Sequence, residues 1–365
     1  MRIRLKYLLS SLASVSVLLP SAAFASLVFN TFVNGTDITN SYGNSSPNQT
    51  IGFAYAGNKF VGSVYGPSAN NNQLYTTDLN GQNVQSFGAP LPFTSNAGEI
   101  YVSASLGIGG YGPRDVFSGS EFFNTVYKTS NNGATQSPFV TLPPTAQGIK
   151  CIAFDPYGLY GNSMIVSTRS GEIYKVSNSG VATLLANIGV LAEGMTFTTQ
   201  PFGPYPKGTL LVASEVSGKI TTVTPAGAVT TVVSDVPGAE MISFVPSNIG
   251  ASGNPLEGLY EASWPNDVKK VGTNDLLAFI GTLIVTSETT SDIWSVSYDP
   301  ILNVFKTSIS LGKFPGQPED GILITADIIN PAPEPGTILL AASAILSLAL
   351  ARRRVKQSGL LPSRT

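Results

Sequence analysis

An eight-residue segment that recurs along the chain limits the folds open to it more than any other feature. Gly208-Thr209-Leu210-Leu211-Val212-Ala213-Ser214-Glu215 returns as Gly281-Thr282-Leu283-Ile284-Val285-Thr286-Ser287-Glu288. A looser copy is Gly161-Asn162-Ser163-Met164-Ile165-Val166-Ser167-Thr168. A turn and a second apolar stretch follow each copy, at 171–176, 218–223 and 292–296. Similar second stretches occur at Gln73-Leu74-Tyr75 and Thr125-Val126-Tyr127-Lys128. β-Branched residues and Thr dominate, and no helical period is visible between 26 and 330, so these runs read as strands.

A third element precedes the hairpins. Ala192-Glu193-Gly194-Met195-Thr196-Phe197 is like residues 147–154, 238–244 and 318–323, with 49–53 as a degenerate first copy. A fourth element follows them, as in 180–185 and 227–233. Asn80-Gly81, Asn132-Gly133, Ser179-Gly180 and Ala226-Gly227 supply hairpin turns, where Gly accepts positive φ. Tyr127 to Tyr174 is 47 residues, as is Ile173 to Ile220. Four short strands at that spacing describe an all-β propeller blade. Residues 26–330 then hold six blades, with seven the alternative. The stretch 258–300 departs from the pattern, because hairpin-like copies there lie only 23 residues apart. A β-helix would repeat at a far shorter interval.

Both ends read as addresses rather than as domain. Arg2, Arg4 and Lys6 precede an apolar stretch, Pro20 breaks it, and Ala23-Phe24-Ala25 offers a cleavage point. Residues 1–25 are therefore expected to be a signal peptide. At the other end Pro333-Glu334-Pro335 precedes an uncharged run at 336–351, then Arg352, Arg353, Arg354 and Lys356. Sixteen residues are near the minimum for a membrane span, and the Arg cluster should stay cytoplasmic. The propeller is thus expected at 26–330, flanked by an N-terminal signal helix and a C-terminal transmembrane helix, with 331–365 as tail.

This tail resembles the PEP-CTERM sorting signal of Gram-negative bacteria. The resemblance implies recognition by a membrane-embedded exosortase and cleavage near Pro-Glu-Pro. It also implies an inner-membrane intermediate on the periplasmic side, then release to the cell surface or a biofilm extracellular matrix. Exopolysaccharide and surface proteins are the partners it implies. The stretch 355–365 is longer than that pattern requires, and an ordinary anchor is the alternative.

Charge follows from these boundaries. The whole chain has 20 basic and 22 acidic residues, a net of −2. Three of the basic residues lie in 1–25 and five in 331–365, with only Glu334 acidic there. That leaves 12 basic and 21 acidic residues in the domain, a net of −9. Such a surface tolerates cations and disfavours nucleic acid. The chain has no His, which excludes Ser-His-Asp chemistry and imidazole metal sites. The single Cys151 excludes an intrachain disulfide, and its place among Ile149 and Phe154 reads as a buried apolar thiol.

The blade pattern is similar to NHL and SMP-30-like six-bladed propellers, most clearly over 147–245. In such folds the innermost strands line a channel. Glu193, Glu240 and Glu319 open three of them and are candidates for one channel mouth, with Gln49 and Gln147 at equivalent places. In SMP-30-like lactonases a Glu in this segment helps bind a divalent metal, and hard oxygen ligands suit Ca²⁺. Capping of turn amides is the plainer role for the same side chains.

The remaining features read as structural. Asp155-Pro156 and Asp299-Pro300 look like turn initiators, and Asp320 before Gly321 reads as a turn residue, with a place at the same channel mouth the alternative. Gly107-Ile108-Gly109-Gly110 lacks a strand-loop-helix context and reads as a loop. Tyr75, Tyr127, Tyr174 and Trp294 share one strand position, as blade packing requires. Residues 34–50 read as a polar entry loop, and the Tyr/Gly-rich 98–124 as a loop region open to adhesion. Two functions follow: an exported binding or structural module, without catalysis, or a metal-dependent lactonase or related hydrolase at the channel mouth.

Overall fold

The centre of the repeated segment is an unbroken apolar run, 210–213, 283–285 and 164–166, rather than an alternating one, which demands burial on both faces. In the computed structural model these three segments are second strands in a ring of six four-stranded antiparallel blades. The structure describes residues 26–331 apart from 44–47, 67–71, 95, 266 and 309–310. Ala23, Ala25, Pro333, Glu334, Pro335, the run 336–351 and Arg352, Arg353 and Arg354 lie outside the described residues. Among the described residues no helix is long and apolar enough to cross a membrane.

The first strand in the chain, β1 (Asn30–Val33), belongs to the last blade. Blade 1 is β2 (Thr50–Tyr55), β3 (Phe60–Val64), β4 (Leu74–Thr77) and β5 (Gln85–Phe87). Blade 2 is β6 (Ile100–Ala104), β7 (Val116–Ser120), β8 (Phe123–Thr129) and β9 (Gln136–Thr141). Blade 3 is β10 (Ile149–Phe154), β11 (Met164–Thr168), β12 (Glu172–Val176) and β13 (Ala182–Asn187). Blade 4 is β14 (Met195–Phe197), β15 (Leu210–Ser214), β16 (Lys219–Val223) and β17 (Val229–Val233). Each runs from the channel outward in chain order.

Blades 5 and 6 exchange chain. Blade 5 starts with β18 (Ala239–Phe244), but the chain then leaves to build β19 (Gly258–Trp264) and β20 (Asp267–Gly272) of blade 6. It returns for β21 (Leu283–Ser287), β22 (Ile293–Asp299) and β23 (Val304–Ser308), the rest of blade 5. The final strand, β24 (Gln317–Ile324), goes back to blade 6 as its innermost strand. Blade 6 reads β24-β19-β20-β1 from the channel outward, so both ends of the described chain close the ring. The 23-residue spacing at 258–300 is the distance between two hairpins placed in different blades.

Burial follows this arrangement. β7, β11, β15 and β21 are buried throughout, whereas the outermost β13, β17 and β23 are largely open to solvent. The apolar side chains fall into six clusters, one at each junction between neighbouring blades. Tyr75, Tyr127, Tyr174 and Trp294 all lie on third strands, and Tyr75, Tyr174 and Trp294 are buried there.

Two devices repeat around the ring. Gly180 and Gly227 have φ near +80° in the outer hairpin turns, where a side chain is strained. A Cβ there would also sit 2.3 and 2.2 Å from the carbonyl oxygens of Phe139 and Leu185 in the preceding blade. Gly81 meets the carbonyl of Phe32 on β1 at 2.1 Å in the same way, so β1 fills the outer-strand place before blade 1. The second device is a Tyr reaching forward one blade. The Tyr111 hydroxyl accepts from the Met164 amide and donates to the Val176 carbonyl, and Tyr160 does the same with Leu210 and Val223.

Some local expectations are corrected. Residues 98–124 contain β6, β7 and the start of β8, not one loop; the segment 105–115 and the turn at 121–122 connect these strands. Residues 35–41 form a short helix, α1 (Gly35–Ser41), because the Asn34 side chain caps it by accepting the Thr36 amide at 2.8 Å. Two four-residue helices, α2 (Thr273–Leu276) and α3 (Ala326–Ile329), are too short to leave a periodic pattern. Asp155 and Asp299 do initiate turns: Asp155 accepts the amides of Tyr157, Gly158, Tyr160 and Asn162, and Asp299 those of Ile301 and Leu302.

A candidate cation site at the channel mouth

The innermost strands all begin at one face of the disc, and four of them are irregular there. The pairing register shifts at Ile149/Cys151, at Ala239/Ile242 and between Thr50 and Phe53. On β24, Glu319 and Asp320 together lie opposite Ala262. Such bulges turn side chains out of the regular alternation. They bring Lys150, Glu240, Glu319 and Asp320 to the mouth with Glu193, whose amide donates to the Ala213 carbonyl.

Lys150, Glu193 and Glu240 each stand four residues before a Phe that ends the strand: Phe154, Phe197 and Phe244. The equivalent of Glu193 in blade 3 is therefore Lys150, not Gln147. Gln147 is exposed, in a left-handed turn with φ 58°. Gln49 is half-buried, and its carbonyl accepts the Tyr65 amide.

Lys150 is the centre of charge. Its ammonium contacts the Glu99 carboxylate directly, lies 3.0 Å from Glu193 Oε1 and 3.9 Å from Glu121 Oε2. The Tyr101 hydroxyl bridges Glu193 Oε1, at 2.9 Å, and Glu99. Gln317 Nε2 bridges Glu288 Oε1 at 2.6 Å and Glu319 Oε1 at 3.1 Å. Two carboxylate groups result. Glu193, Glu215 and Glu240 can bring one oxygen each within 4.8 Å of one another, and so can Glu99, Glu288 and Glu319. Glu193 and Glu240 thus share one group, while Glu319 stands in the adjoining one.

Burial dominates the electrostatics. Glu193, Glu240 and Glu319 are 0%, 4% and 2% exposed. Desolvation, opposed by Lys150, pushes the Glu193 carboxyl up to about 7. Desolvation and then a hydrogen bond with Glu215 push Glu288 up to about 8. Burial first, and neighbouring carboxylates second, hold Glu240, Glu319 and Asp320 well above the ordinary range. Glu99 is the exception: burial would raise it, but the Lys150 charge and hydrogen bonds outweigh that and lower it. Burial also opposes the Lys150 charge, yet Glu193, Glu99 and Glu240 hold its pKa well above normal.

Asp320 is half-buried, lines the cavity below the mouth and interacts electrostatically with Glu193 and Lys150, so it belongs to the mouth rather than to a turn. The sequence reading also missed Glu99, Glu121, Glu215 and Glu288. A signal existed: Ser120-Glu121, Ser214-Glu215 and Ser287-Glu288 all end second strands with the same pair. Oxygen donors alone surround the mouth, the set preferred by Ca²⁺ and Mg²⁺. Ca²⁺ bonds of about 2.3–2.6 Å allow ligand oxygens up to about 5 Å apart, so either group suits one ion. Among the described residues, Glu193 Oε2 is buried without a hydrogen-bond partner.

Below the carboxylates the channel widens into a cavity of about 160 Å³. Tyr101, Cys151, Met195, Met241, Phe197 and Phe244 are among its walls, and Ile328 of α3 stands at its far end. Cys151 is half-buried on this wall, and desolvation, then the Asp320 charge, keep its thiol protonated.

No known protein family and no curated protein matches the chain. Among solved structures, it resembles a virginiamycin B lyase from Staphylococcus aureus at 12% identity, covering 81% of this chain and 78% of that one, with a TM-score of 0.49. A candidate gluconolactonase is similar at 10% identity, with 83% and 86% covered and a TM-score of 0.48. A chain of a nidogen/laminin complex matches at 10%, over 75% and 84%, with a TM-score of 0.47. At this distance none of them transfers an activity or a residue.

Proposed function

We propose that this chain is an exported binding module whose propeller takes up a divalent cation, Ca²⁺ first, at the carboxylate mouth. The observation that carries this reading is the buried Glu193 Oε2, which lies in one group with Glu215 and Glu240 and has no hydrogen-bond partner among the described residues. Eight carboxylates (Glu99, Glu121, Glu193, Glu215, Glu240, Glu288, Glu319 and Asp320) face one buried ammonium there, with Arg169 acting on Glu99 and Glu121 from nearby. The excess negative charge must be met by protons or by a cation. A bound cation at a rigid mouth would then engage hydroxyl- or carboxylate-bearing polymers, such as an exopolysaccharide.

Export and sorting belong to the same reading. The signal at 1–25 and the tail with Pro333-Glu334-Pro335, the run 336–351 and the Arg cluster support delivery through an exosortase to the cell surface or matrix. Mass spectrometry of the exported protein tests this: a mature form still containing 336–351 overturns processing.

Calorimetric titration with Ca²⁺ and with Mg²⁺ tests the site. Binding should be lost or weakened more than tenfold in Glu193→Gln and Glu240→Gln. Absence of binding at about pH 8, or affinity unchanged in both variants, refutes the proposal.

A second reading, a metal-dependent lactonase or related hydrolase, draws on the cavity directly beneath Asp320 and Tyr101, where an organic ligand has room. Lys150 weighs against it, because its ammonium already takes Glu99 and Glu193 oxygens. Turnover of a lactone panel in the presence of Ca²⁺ would reverse that judgement.

A further inference from the structure

The face opposite the carboxylates has a different character. β24 ends there, and α3 follows across the far opening of the channel. Arg114 Nη2 donates to the carbonyls of Ile328 at 2.5 Å and Ile329 at 3.2 Å, and the Tyr157 hydroxyl donates to Asp327 at 3.3 Å. The last described residues are therefore pinned to this face. The uncharged run 336–351 starts five residues after Pro331. Five extended residues reach at most about 17 Å.

Exposed large apolar side chains gather on the same face. Strand directions place the loops after β10, β12, β20 and β22 there. Those loops carry Leu159 (38% exposed), Val181 (61%), Leu277 (49%), Ile280 (39%), Ile301 (91%) and Leu302 (61%). On the carboxylate side the exposed large apolar side chains of the described residues are Phe122, Val216 and Val28, the last next to Leu27, whose amide donates to the Leu311 carbonyl, while Leu184, Val229 and Val304 lie on outermost strands. Single exposed apolar residues are ordinary, but six of them on one face, on loops of blades 3, 5 and 6, set that face apart from the carboxylate one.

We propose that the α3 face rests on a lipid bilayer while the tail is inserted. This rests on the reading of 336–351 as a membrane span. The short tether holds this face within reach of the headgroups, so Ile301 and Leu302 enter the interface. The carboxylate mouth then points into the aqueous compartment, away from anionic lipid that would repel it. Cation and polymer binding stay open during the membrane-bound stage.

The test uses the full chain in phosphatidylethanolamine–phosphatidylglycerol vesicles. An environment-sensitive fluorophore is attached at Ile301→Cys or at Val216→Cys, both on exposed turns. Wild type gives the labelling background, because its only thiol lines the lumen. An interfacial side chain sits about 5–10 Å deep, so brominated lipid should quench the 301 probe about twofold and leave the 216 probe unchanged. Vesicle-bound chain with the 301 probe unquenched, or with both quenched equally, overturns the surface alone. Chain that does not float with the vesicles overturns the span reading and the surface with it.

Discussion

Replacing Lys150 by Met keeps the aliphatic stem and removes the charge, which isolates what the ammonium does. In the folded protein it holds the Glu99 carboxylate ionised in a largely buried site, opposing the desolvation that would raise its pKa. Without it, Glu99 must stay charged and unpaired or take a proton. The proton route sets the ceiling. From the ordinary value of 4.5, taking up a proton costs about 1.4 kcal/mol per pH unit above it. That is roughly 5 kcal/mol at about pH 8 and under about 1 kcal/mol at about pH 5. The upper figure agrees with the roughly 3–5 kcal/mol found when one partner of a buried ion pair is removed. For a domain of this size it corresponds to a Tm loss on the order of 10 °C at the higher pH and about 2 °C at the lower. Thermal unfolding of wild type and K150M, both with chelator, measures the difference at each pH. Equal losses at the two pH values would refute the reasoning, because they would reduce Lys150 to a packing element.

The same electrostatics predict a pH slope for the wild type. Glu193 and Glu288 have folded values near 7 and 8, above 4.5, so the folded state binds more protons between those limits. Metal-free stability should therefore fall as pH rises from about 4.5 to 8, by on the order of 3 kcal/mol from the buried Glu193 alone. Saturating Ca²⁺ should flatten that slope in urea unfolding; an identical slope with and without Ca²⁺ contradicts the cation site. Gly194→Ala places a Cβ 2.3 Å from the Glu240 carbonyl, forcing blades 4 and 5 apart. It should cost about 1–3 kcal/mol and weaken Ca²⁺ binding in the same calorimetric titration. Phe32→Ala removes the edge-to-face contacts of β1 with Phe53, Phe60 and Tyr260. A loss of about 2–4 kcal/mol in denaturant unfolding is expected, and a loss under about 0.5 kcal/mol would mean that β1 does not close the ring.

What was readable in the residues, and what was not, divides by how far each interaction reaches along the chain. The four strands of a blade, the place of the Gly turns and the third-strand aromatics depend on neighbours within one repeat, so they show as a 47-residue period. The second strands announced their double burial through unbroken apolar runs. The Glu at the head of the inner strands was visible because it also recurs, in Glu193 and Glu240.

Ring closure was invisible, because pairing β1 with β20 joins residues more than 230 positions apart and leaves no periodic trace. The exchange of hairpins between blades 5 and 6 was hidden for the same reason, and showed only as a broken spacing. Charge was the least legible property. Nothing in the sequence singles out Lys150; bulges on several strands gather carboxylates around it. The sequence by itself determined a four-strand repeat at a 47-residue spacing and a chain with no imidazole to offer a metal. Only the tertiary structure decided that eight carboxylates share one desolvated mouth, since that depends on which strand heads meet when the ring closes.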